Sequence, residues 1–126
     1  MILIEASIGE LIDKLTILDI KKERISDEEK LKHIAAEHAL LLSKSESYLK
    51  EESIFEVYEE LREVNSKLWF IEDDLREMES QGRFDEEFVQ KARSVYFTND
   101  KRFELKSRIN DLAGSAIKEQ KGYKKY

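Results

Sequence analysis

Ile54, Val57, Leu61, Val64, Leu68, Ile71, Leu75 and Met78 follow one another at alternating steps of three and four residues without a miss. Only an α-helix returns side chains to one face at that spacing. The stripe predicts a long third helix over about residues 54–79, with a seam like that of a coiled coil. Phe55, Trp69 and Phe70 lie off the seam, so a second face is expected to be covered as well. A rod of this kind buries its seam against other rods at a shallow crossing angle. The rest of the chain suits that partner: there is no proline, only four glycines stand among 126 residues, and 40% of the side chains are charged. So few turn formers exclude a sandwich or barrel. The chain length fits a single domain, residues 1–126.

The sequence Ser-x-x-Glu marks three helix starts, at Ser7 and Glu10, Ser26 and Glu29, and Ser53 and Glu56. The serine accepts from the third helical amide and the glutamate reaches back to the serine's own amide. A first helix is predicted over about residues 7–25, with Ile8, Leu11, Leu15, Leu18 and Ile25 inward and Ile12, Ile17 and Ile20 widening the face. A second covers about 27–48, through Leu31, Ile34, His38, Leu41 and Tyr48. Between them the stripe changes phase, so Ser26 marks either a sharp turn or a kink. Gly82 supplies a left-handed stop to the third helix. A fourth is predicted over about 85–96. Thr98-Asn99-Asp100 then reads as a turn and a fresh cap, starting a fifth over about 101–118, inside which Gly114 either ends the helix early or permits close packing. The expected fold is therefore all-α, an antiparallel bundle of about five helices with one long central helix. Residues 1–6 alternate enough for a short strand if something pairs with it. The basic tail, 119–126, is expected to fray.

Composition also bounds function. The chain carries 28 acidic and 22 basic residues, a net charge of −6, which disfavours nonspecific nucleic-acid binding. It has no cysteine and two histidines, so disulfides, thiolate chemistry and histidine-rich metal sites drop out. No apolar run exceeds four residues, too short to span a membrane. Met1-Ile2-Leu3-Ile4-Glu5 lacks the features of a signal peptide, which predicts a cytoplasmic protein. The apolar surface of the third helix makes a homodimer plausible; the partner is otherwise another protein.

Several polar groups are candidates for chemistry. Glu60, Glu63, Glu72 and Asp73 lie in two acidic groups on the third helix, where paired carboxylates can hold Mg²⁺; a solvated acidic face is the simpler reading. His38 sits on the seam of the second helix as a core or interface histidine. Arg93, Asn99, Asp100, Arg102 and Lys106 gather at the expected junction of the fourth and fifth helices, where the free amides of a helix start suit an anion. The alternative is that Asn99 or Thr98 caps the helix while the arginines pair with Asp73, Asp74 or Glu77. Asp13 and Lys14 flank the wide apolar face of the first helix. If drawn inward they need partners: Arg93 or Arg102 for Asp13, a third-helix carboxylate for Lys14.

Three blocks carry a resemblance: Ser7-Ile8-Gly9-Glu10-Leu11-Ile12-Asp13-Lys14-Leu15-Thr16-Ile17-Leu18; Leu68-Trp69 with Ile71-Glu72-Asp73-Asp74-Leu75-Arg76-Glu77; and Ala92-Arg93-Ser94-Val95-Tyr96 with Thr98-Asn99-Asp100, Arg102, Leu105-Lys106 and Ile109-Asn110. Together they resemble a small bacterial and phage domain family of unknown function, associated with glycosyltransferase and tetratricopeptide proteins. Their convergence in one bundle implies a charged neighbourhood including Asp13, Lys14, Asp73, Glu77, Arg93, Asn99, Asp100, Arg102 and Lys106. Ile12-Asp13 and Arg24 are also similar to the first helix of the helical chorismate mutases, which hold a dicarboxylate by electrostatics without a nucleophile. Glu60-x-x-Glu63 resembles the first half of the carboxylate motif of all-helical nucleoside triphosphate pyrophosphohydrolases; the second half is missing, since Leu75 stands three residues after Glu72. The leading expectation is a non-enzymatic helical module for interaction or small-anion binding, with no cofactor. The alternative is an enzyme on an anionic substrate, mutase-like or a Mg²⁺-dependent nucleotide phosphohydrolase.

Overall fold

A computed structural model describes residues 1–115 and Gly122. It is all-helical, with α1 (Ile8–Arg24), α2 (Glu28–Leu49), α3 (Glu52–Ser80) and α4 (Glu86–Ala113). Ser7 caps α1 as its spacing predicts, accepting from the Glu10 amide at 3.1 Å. Asp27, not Ser26, caps α2, accepting from the Lys30 amide at 3.0 Å. The α3 helix begins before Ser53, at Glu52, with no side-chain cap. Asp85 caps α4; hydrogen bonds from Arg83 and from the Phe88 amide hold its carboxyl below the ordinary carboxylate range.

The α1–α2 junction is a hairpin, not a kink. Ile25 and Asp27 are extended, and α2 folds back beside α1, bringing Glu37 to Lys14 and His38 to Asp19. Both α3 and α4 stop on a glycine of positive φ, Gly82 at 64° and Gly114 at 67°. One residue further on, Arg83 and Ser115 donate back to the Met78 and Asn110 carbonyls, each at 2.9 Å, closing a Schellman turn.

Two expectations are corrected. The fourth and fifth helices are one: α4 passes through Thr98-Asn99-Asp100 unbroken. Residues 83–113 contain neither glycine nor proline, and the intrinsic disfavour of Thr, Asn and Asp in a helix is only ~0.7 kcal/mol each. Seating Leu105 and Ile109, both fully buried, against α3 outweighs that. Residues 1–6 form no strand; Met1, Ile2, Leu3 and Ile4 are all more than 80% exposed. The expected helix beyond residue 115 and the tail 119–126 lie outside the described residues, apart from Gly122.

The core is Ile12, Ile54, Val57, Leu61, Leu105 and Ile109, all at or below 1% exposure. The seam of α3 faces inward: Ile54, Val57, Leu61, Leu68, Ile71 and Met78 are buried, and Val64 and Leu75 half-buried. It is covered within the chain by α1 and α4, while Phe55 and Phe70, off the seam of the same helix, stay exposed. The long α3 and the shorter α1 each touch every other helix. Buried residues run around much of the girth of α1, whereas α2 buries only Ser45. Among the described residues, no helix is long and apolar enough to cross a membrane.

Candidate functional site

Where α1, α3 and α4 meet, a polar cluster is built into the apolar interior. Asp13 and Thr16 follow Ile12 on the inner face of α1, and Asn65 stands between Leu61 and Leu68 on the buried stripe of α3. Asp13 is 3% exposed, so its carboxylate needs full compensation. Arg102 supplies it through two hydrogen bonds, Nε to Oδ1 at 2.9 Å and Nη2 to Oδ2 at 2.6 Å. Asn65 Nδ2 donates to Asp13 Oδ1 at 2.9 Å and to Thr16 Oγ1 at 2.8 Å. Thr16 Oγ1 in turn donates to the Asp13 carbonyl at 2.7 Å. The planar guanidinium is thus fixed in orientation by a two-point contact.

Beside this cluster opens a cleft of about 490 Å³. Ile17, Ile20, Leu68 and Trp69 give it an apolar lining. Its polar groups come from two walls: Asn65, Glu72, Asp73 and Arg76 on α3, and Asn99 and Arg102 on α4. Glu72, Asp73, Arg76 and Asn99 are exposed, and among the described residues their side chains make no hydrogen bond or ion pair.

From one turn further along α4 to just past its end, the start of α1 is sealed. The Gly9 amide donates to Asn110 Oδ1 at 2.7 Å and the Ile8 amide to Ser115 Oγ at 3.3 Å. Lys106, 7% exposed, reaches Glu10 at 2.5 Å. A Cβ on Gly9 would lie 2.5 Å from the Lys106 carbonyl oxygen, so only glycine lets the helices approach this closely. The Ile8, Gly9 and Glu10 amides of this helix start are therefore occupied by Ser115, Asn110 and Ser7.

A second polar cluster joins α1, α2 and α3. His38 Nε2 and Asp19 Oδ1 are 2.6 Å apart, and Tyr58 donates its hydroxyl to Asp19 Oδ2. Burial first, then the Asp19 hydrogen bond and charge, push the Tyr58 phenol above its ordinary value.

The residues singled out from the sequence divide accordingly. Asp13 and Arg102 pair, and Arg102 lines the cleft with Asp73 and Asn99. Lys106 is buried nearby against Glu10, while Asp100 is half-buried on α4. The others are elsewhere. Lys14 pairs with Glu37 of α2 at 3.1 Å, not with an α3 carboxylate. Arg24 lies over the Phe70 ring at 4.0 Å. Glu77 accepts from Gln81 near the end of α3. Arg93 donates to the Tyr96 hydroxyl at 3.3 Å; nine residues before Arg102 on a continuous helix of 3.6 residues per turn, it is on the opposite face. The anion site expected at a helix start near Asn99 is overturned, because no helix begins there. Glu60 faces Arg108 at 3.7 Å, and among the described residues no three His, Cys, Asp or Glu side chains are placed to hold a metal. Glu60, Glu63, Glu72 and Asp73 therefore do not form an ion cage.

Thr16, Asn65, Asn110 and Arg76 join these sites without having been candidates for chemistry, although Thr16, Arg76 and Asn110 lie within the blocks that carry the family resemblance. The first three carry a signal: each is a polar residue in phase with an apolar stripe. Arg76 carries no such signal. No curated protein and no solved structure matches the chain. The profile of a family of unknown function (DUF6165) matches residues 2–126, nearly the whole helical unit just described, and the chain belongs to that family.

Proposed function

We propose that this chain is a non-enzymatic helical binding module that takes a small anion in the α1–α3–α4 cleft. The observation that carries the reading is Arg102, a guanidinium aimed by the buried Asp13 at 2.9 and 2.6 Å and lining a cleft of about 490 Å³. Arg76 and Asn99 line the same cleft and supply further donors. Carboxylate and phosphate groups are recognised in this way, by fixed guanidinium forks with amide donors. In support of binding without chemistry, the His38–Asp19–Tyr58 group, which most resembles an acid–base constellation, does not line the cleft and serves to bridge three helices.

The setting we attach to this reading is cytoplasmic and bacterial or phage, alongside glycosyltransferase and tetratricopeptide proteins. A protein partner or a second copy would meet the exposed apolar residues, such as Phe84 and Val89 on the α3–α4 hairpin. The enzyme alternative would place a mutase-like or phosphoryl-transfer substrate in the same cleft, but Arg24 points away from it to Phe70.

The test is thermal unfolding of the full chain with inorganic phosphate, sulfate and small mono- and dicarboxylates. A ligand at 100 times its Kd stabilises by ~2.7 kcal/mol. Stabilisation by at least one anion, lost in Arg76→Gln, is the expected result. No response across the panel, or a response that Arg76→Gln leaves intact, overturns the proposal.

A further inference from the structure

Within the cleft, positive charge is matched by negative. On α3, Glu72 and Asp73 stand four and three residues before Arg76, the spacing at which opposite charges on a helix pair with each other. They do not: among the described residues neither carboxylate makes an ion pair, and neither does Arg76. Facing them across the cleft are Asn99 and Arg102 of α4. Arg102 already has its charge compensated by Asp13. A purely anionic ligand would therefore bind beside two unsatisfied carboxylates as well as Arg76, and more weakly than a ligand that also meets those carboxylates. The lining between the charged groups is apolar, with Ile17 and Leu68 beside the Trp69 ring.

We infer that the ligand of this cleft is a small zwitterion with an apolar body, the chemical class of a free amino acid with a large apolar side chain. Its carboxylate is received by Arg102, Asn99 and Arg76. Its ammonium is received by Glu72 and Asp73, and its side chain lies on Trp69 and Leu68. The volume, about 490 Å³, is within the range of small-molecule sites. The inference rests on the small-anion reading of the same cleft and narrows it, because it requires a cationic group on the anion.

Isothermal titration of the full chain with three probes of one skeleton tests it: phenylalanine, 3-phenylpropionate and phenethylamine. One charge-assisted hydrogen bond is worth roughly 10-fold or more in affinity, so phenylalanine is expected to bind about 10-fold tighter than either single-charge probe. In the double variant Glu72→Gln with Asp73→Asn, phenylalanine and phenylpropionate should converge to within about twofold, with phenylpropionate no weaker than in the parent chain. Both substitutions are on exposed side chains, so the fold is expected to survive them. Phenylpropionate binding as tightly as phenylalanine overturns the zwitterion and leaves the anion reading standing. Phenethylamine binding tightest overturns both. Silence from all three overturns the zwitterion, while the phosphate, sulfate and carboxylate panel decides the anion reading separately.

Discussion

Asp13 and Asp19 stand six residues apart on α1, and the protein treats the two carboxylates differently. Asp13 faces α3 and α4, is 3% exposed, and meets a permanently charged arginine through two hydrogen bonds with an asparagine alongside. Asp19 faces α2 and α3, has a half-buried side chain, and is bound by a tyrosine hydroxyl and an imidazole. The difference follows solvent access. A carboxylate cut off from water stays ionised only if a full charge and further donors replace its hydration. One at the edge of the fold is served by weaker donors because water finishes the work. The same gradient runs through the helices: α1, α3 and α4 share the buried core, while α2 lies on the outside and buries only Ser45.

Removing Arg102 presses hardest on this contrast. Arg102→Ala leaves Asp13 with only Asn65, and is expected to cost about 3–5 kcal/mol by denaturant unfolding. A loss below ~1 kcal/mol would mean that water reaches Asp13 and that the two carboxylates are not different in kind. The paired change Asp13→Leu with Arg102→Met should recover much of the loss, since neither charge is then stranded.

Gly9→Ala forces a methyl to within 2.5 Å of the Lys106 carbonyl oxygen, which is backbone and cannot swing aside. It should cost ~1–3 kcal/mol, the usual range for overpacking, and a neutral result would mean that α1 and α4 separate easily. At the outer cluster, His38→Ala removes one hydrogen bond to a charged group and should cost about 1.5 kcal/mol. Hydrogen exchange ought to localise that loss: amides of α2 speed up while those of α1 and α3 hold.

The outer cluster also carries an alkaline signature. Because the Tyr58 phenol titrates above its ordinary value in the folded chain, the folded state holds that proton when the unfolded chain has released it. Stability from this group is complete below about pH 10, the unfolded value, and falls as pH rises beyond it. Stability measured from pH 9 to 11 should show the decline, and Tyr58→Phe should flatten it. At the small end, Lys14→Ala breaks an ion pair whose partners are both about half exposed and should change stability by less than ~0.5 kcal/mol.

Much of this arrangement is legible in the residues alone. The three-and-four rhythm from Ile54 to Met78 marks the buried face of α3, and Ser7 and Gly82 mark helix ends through chemistry confined to neighbouring residues. Arg102 is one of two arginines that charge alone nominates for Asp13; choosing it over Arg93 requires knowing that α4 is continuous. That continuity is hidden because Thr98-Asn99-Asp100 has the composition of a turn. Weak local preferences give way to the packing of Leu105 and Ile109, which is a tertiary effect. The cleft is harder still to foresee: Arg76 and Trp69 of α3 join Asn99 of α4 only through the packing of two helices.

The sequence by itself determined that this chain forms helices, where most of them end and which stripe of each turns inward, because capping, glycine stops and apolar periodicity act over a few residues. The tertiary structure alone decided that residue 13 meets residue 102, that residue 9 touches residue 110, and that a cleft remains beside Trp69. Those meetings depend on how rods cross and how closely they approach, which is set by the fit of whole faces rather than by any local run of residues.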